Sequence, residues 1–88
     1  MSMKDRIETK LRAALAPQAL EVIDDSRLHA GHHGHSGVES HFRVRIVAEG
    51  FRGASRMARH RLINTILAEE LAGPVHALVI ERAEPPAA

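Results

Sequence analysis

The sequence predicts an α+β domain in which a three-stranded sheet forms one layer and helices the other, a two-layer sandwich with the element order αββααβ. Three observations lead there. Two segments carry apolar residues at three- and four-residue spacing, one segment alternates strictly between apolar and polar, and 88 residues are enough for one small core and no more.

The first helix is expected from Ser2 to Leu15, where Met3, Ile7, Leu11, Ala14 and Leu15 share one face. Ser2 followed by Asp5 is a capping start, and Pro17 ends the helix because proline disfavours helical geometry in the residue before it. Leu20 to Asp24 reads as a short strand, broken by Asp24-Asp25-Ser26. From there to Glu39 the chain reads as a loop in which Gly31, Gly34 and Gly37 are interleaved with His29, His32, His33 and His35. His41 to Val47 is the clearest strand, with Phe42, Val44 and Ile46 on one face and His41, Arg43 and Arg45 on the other. The two strands should pair as an antiparallel hairpin across the long loop.

Gly50 and Gly53 mark a turn around Phe51, and Ser55 is a good N-cap for the next helix. Leu62, Ile63, Ile66, Leu67 and Leu71 form its apolar stripe, with a division of the helical region expected near Met57 and a stop at Gly73-Pro74. Val75 to Arg82 is apolar enough for a third strand that is central or covered on both faces. The folded domain should occupy residues 1–83, with residues 84–88 a flexible tail.

Composition narrows the functions open to such a domain. The net charge is only +1, so no overall field draws the protein to nucleic acid or an anionic membrane, and any basic site must be local. With no cysteine there is no disulfide, no thiolate nucleophile and no self-sufficient cysteine metal site. No apolar run approaches the ~18 residues of a membrane span, and the start of the chain is amphipathic rather than signal-like, so the expected location is the cytoplasm. Phosphate-binding, nucleophile-elbow and dinucleotide motifs are all missing, and neither an enzyme nor a small-molecule substrate is expected.

Histidine is the residue in excess, at seven of 88. His60 lies between Arg59 and Arg61 near the start of the second helical region, about 20° from Leu67 and Leu71 on a helical wheel, at the margin of the apolar stripe. It is either a half-buried side chain bonded to backbone or a ligand or proton-transfer group. Arg59 and Arg61 are either solvated surface or holders of an anion near the helix start. The Gly/His loop is a compositional signal for metal, and a merely flexible loop is its alternative. His41 and His76, on strands, read as structural.

Five short motifs in this order resemble the BolA family: Leu20-Glu21-Val22 with Asp24 and Ser26; Glu39 with His41-Phe42 and Val44; Phe51 with Gly53 and Ser55; Arg59-His60-Arg61; and Val75-His76-Ala77-Leu78. The resemblance covers nearly the whole chain. It implies a fold similar to a class II KH domain and a heterodimer with a monothiol glutaredoxin. In that heterodimer a [2Fe-2S] cluster is shared with the glutaredoxin cysteine and glutathione, and the isolated chain holds none tightly. It further implies His60 as one ligand and a loop residue as the second. His29 matches best by its spacing from Ser26, with His32, His33 and His35 as alternatives, and Arg59 and Arg61 are expected to contact the partner. Some members of the family are ascribed transcriptional roles, so the alternative is a KH-like DNA-binding regulator using Arg59, Arg61 and Ser55.

The chemistry is coherent. Imidazole can replace thiolate on one iron, as in Rieske centres, provided a partner supplies the sulfur. Protonated imidazole cannot ligate, so such a complex should be labile at mildly acidic pH. A third possibility, a loop that binds zinc, nickel or copper unaided, rests on the same residues.

Overall fold

Ser2 starts the first helix: its Oγ accepts a hydrogen bond from the Asp5 N–H at 3.0 Å, satisfying one of the donors that a helix start leaves unpaired. The computed structural model describes residues 2–26 and 41–87. Helix α1 spans Met3–Leu15 and buries Ile7 and Leu11 completely. Ala16 then turns into the left-handed region, its N–H bonded to the Arg12 carbonyl, and Pro17 prevents continuation.

Strand β1, Ala19–Asp24, pairs antiparallel with β2, His41–Val47, placing Val22 beside Val44 and Leu20 beside Ile46. The predicted alternation holds, with Phe42, Val44 and Ile46 all buried. A single 3₁₀ turn, Glu49–Phe51, buries the Phe51 ring, and Gly53 at φ 80° completes a reversal that a side chain would strain. Ser55 caps helix α2, Arg56–Ile66, accepting from the Ala58 N–H at 3.1 Å. Helix α3, Ala68–Ala72, comes directly after it, and β3, Ala77–Glu84, returns to pair parallel with β2. The sheet order is β1-β2-β3. Helices cover one face, where Ile63, Leu67 and Val75 join the strands and α1 in one core.

Three expectations are corrected. The helical region divides at Leu67 rather than near Met57: Leu67 has ψ 21° and is buried, so the backbone turns while the apolar stripe continues unbroken. β3 is an edge strand, not central. Val75 is buried before the strand begins, Leu78 and Ile80 pack against the core, and Val79 on the other face is 52% exposed. The strand also runs to Glu84, whose carbonyl accepts from the Ala48 N–H, and Pro86 is buried with its carbonyl bonded to Arg52.

The open face of the sheet is a ladder of charge. Arg43 bonds to Asp25 and Glu81, and Arg45 to Glu81 and Glu21. Hydrogen bonds from Arg45 and then Arg43 hold the Glu81 carboxyl below the usual carboxylate range.

Candidate ligand site at one end of the sheet

Ser26 and His41, the described residues that flank the histidine-rich segment, meet at one pinned corner. The Asp24 side chain accepts from the Ser26 N–H at 2.8 Å, the turn that Asp favours because its short carboxylate reaches its own backbone two residues on. The buried Ser26 Oγ accepts from the His41 N–H at 3.2 Å, and the Asp25 N–H donates to the His41 carbonyl at 2.8 Å. Arg43, bonded to both Asp25 carboxylate oxygens, braces the same corner. His29, His32, His33 and His35 lie outside the described residues.

At this corner the parallel pairing of β2 with β3 sets His41 opposite Ala77, which places His76 next to His41. The two rings stack, with centroids 6.4 Å apart and planes 19° from parallel. His41 is half-buried and His76 exposed. Sequence reasoning passed over both as structural. The signal for them is the strand partnership: two parallel strands that start level bring their first residues together, however far apart in sequence.

The Arg-His-Arg segment is elsewhere. Arg59 donates from Nε to the Ala54 carbonyl at 2.9 Å and from Nη1 to the Ala83 carbonyl at 3.0 Å, tying the start of α2 to the far end of β3. Two of its five N–H donors are thereby engaged by backbone carbonyls. Six residue steps separate Ala77 from Ala83, about 20 Å of strand. Two imidazoles on one metal ion need their nitrogens about 3–4 Å apart. The start of α2 is tied by Arg59 to the far end of the sheet, and His60, one residue beyond Arg59, is half-buried. Arg61 is exposed, and Ser55 is accounted for by its cap.

Among the described residues no group of three or more His, Cys, Asp or Glu is placed to hold a metal ion. The His41–His76 pair offers two nitrogen donors at most, which suits shared ligation and does not make a closed site. No helix of the described residues is long and apolar enough to cross a membrane.

Comparison with known proteins gives a consistent result. The family model described as BolA-like protein matches residues 11–86. The chain is 52% identical over 79 residues to BolA-like protein 1 of Pongo abelii, covering 90% of this chain and 56% of that protein. It is 48% identical over 80 residues to the DNA-binding transcriptional regulator BolA of Escherichia coli (strain K12), covering 91% and 73%. The chain thus spans little more than half of the first of these relatives. Among solved structures, BolA1 from Arabidopsis thaliana superposes with a TM-score of 0.85 at 36% identity, covering 98% of this chain and 94% of the other.

Proposed function

Because the chain belongs to the BolA family, we propose that it is an adaptor that pairs with a monothiol glutaredoxin to coordinate and pass on a [2Fe-2S] cluster. The observation that supports this reading is the stacked His41–His76 pair, beside the corner where Ser26 and His41 meet. Imidazole is the nitrogen donor that this cysteine-free chain offers in excess, and it suits iron. The cluster is cargo. Thiolates from the glutaredoxin and glutathione complete its coordination, and the adaptor contributes nitrogen ligands on one side.

The exposed His76 is the proposed ligand from the folded part of the chain, joined by His41 or by one of His29, His32, His33 and His35. His60 is the competing choice that the resemblance implies. Anaerobic mixing with a cluster-loaded monothiol glutaredoxin should shift the visible absorption spectrum. His76→Ala should remove that shift and His60→Ala should leave it, with both variants retaining the circular dichroism of the parent. Loss with His60→Ala and not with His76→Ala would return the ligand to α2.

A DNA-binding regulator is the second reading, favoured by the name of the Escherichia coli relative and by the exposed Arg61. It would show as duplex binding that weakens steeply with salt and is lost in Arg61→Glu. Arg59→Glu is uninformative there, since it breaks the tie to Ala83.

A further inference from the structure

We propose that the outward face of α2 docks an acidic, amphipathic helix of a protein partner, at a surface distinct from the histidine end of the sheet. This docking face is independent of the cluster reading and holds whether or not that reading does.

Charge is unevenly satisfied in this fold. Elsewhere among the described residues most cations have carboxylates beside them, Arg12 on α1 excepted: Arg6 and Lys10 meet Glu70, Arg43 and Arg45 meet Glu81, and Arg52 meets Glu49. From Gly50 to Ala68 there is no acidic residue at all, and besides Arg52, which is paired with Glu49, the stretch carries three arginines, Arg56, Arg59 and Arg61, all on α2. Arg59 is engaged by two backbone carbonyls. Arg56 and Arg61 are exposed and make no ion pair among the described residues.

The same helix also carries two of the three exposed large apolar side chains among the described residues, Met57 at 63% and Leu62 at 37%. At 100° per residue Met57, Arg61, Thr65, Ala58 and Leu62 fall within an arc of about 140°, so Arg61 is the unmatched cation on this face, while Arg56 in the first turn lies about 100° beyond Met57. Ala58 is the small residue among larger ones, which leaves a dip between Met57 and Leu62 where a side chain of an opposing helix can seat. Apolar side chains on either side of an unmatched cation complement a helix whose apolar stripe is accompanied by Glu or Asp. Nucleic acid is less well matched: two free arginines neutralise few phosphates, and exposed Met and Leu gain nothing from a phosphate backbone. The area is small, so the contact is a weak, exchangeable one.

The test is an NMR titration of the full chain with a synthetic amphipathic helix bearing Leu on one face and Glu at its flanks. Its twin with Lys for Glu and a DNA duplex are run in parallel. Amide shifts should cluster between Arg56 and Thr65 with the Glu peptide only. The affinity should fall about tenfold or more in Arg61→Glu and in Met57→Asp. These residues are exposed, so the fold is retained, and His76→Ala should bind the peptide normally even where it abolishes the spectral shift with glutaredoxin. Absence of shifts with the Glu peptide, equal binding of the Lys twin, or shifts centred on the open sheet face would overturn the proposal. A stronger response of the same residues to DNA would reassign the face to nucleic acid and overturn it equally.

Discussion

Ala16 holds φ 43° and ψ 56° to end α1, a conformation in which its Cβ crowds the following carbonyl. The cap bond to Arg12 and the following Pro17 enforce it. Ala16→Gly should therefore stabilise the fold by about 0.5–1 kcal/mol, measured by urea unfolding, because glycine removes the crowding while the cap bond stays. Ser55→Ala should act in the opposite sense, costing about 1 kcal/mol through the lost cap on α2. At the same scale Arg59 and His60, neighbours in sequence, have different fates: one is a strut to β3, the other a half-buried helix residue. Residue spacing placed His60 at the stripe's margin, and the structure agrees. It could not reveal that the arginine beside it was already committed.

At the scale of elements, α1 and α3 are joined by charge. Glu70 is buried on α3, with Arg6 Nε at 2.6 Å and Lys10 Nζ at 2.9 Å. Burial by itself pushes the Glu70 carboxyl up. Hydrogen bonds from Lys10, from its own backbone N–H and from Arg6 outweigh it, and the carboxyl is held below its ordinary value of 4.5. A carboxyl depressed on folding stabilises the native state above its unfolded value and loses that contribution as the pH falls through the folded one. Stability should thus hold down to about pH 4.5 and decline below it. Glu70→Gln should be less stable at neutral pH by about 1–3 kcal/mol, with a shallower decline in acid, as thermal melts across pH would show. The sequence shows Glu70 only as one polar residue near the end of a helical stripe, since its partners are 60 or more positions away.

The whole molecule rests on one core, in which Phe42 and Phe51 are the two largest buried side chains and the only aromatic residues of the Phe, Tyr and Trp class. Truncating either ring leaves a cavity that so small a domain cannot refill. Phe51→Ala should cost about 3–5 kcal/mol, a large share of the roughly 5–15 kcal/mol typical of a domain, and lower the melting temperature accordingly. Phe51 also anchors the turn into α2, so its loss should broaden amide signals from Gly50 to Ser55 before global unfolding.

The sequence by itself determined everything that depends on local period and local chemistry. That includes helix α1 with its serine cap and proline stop, the strict alternation of β2, the cap of α2, and the family to which the ordered motifs point. These are legible because a helix or strand repeats its buried face every few residues, and the repeat can be read without knowing what covers it. Only the tertiary structure decided that β3 is an edge strand beside β2, that Leu67 turns the chain, and that His76 stands against His41 while Arg59 is tied to the other end of the sheet. Those are matters of which strands lie side by side and at what register, and registers are set by the summed burial of many distant residues rather than by any short run of the chain.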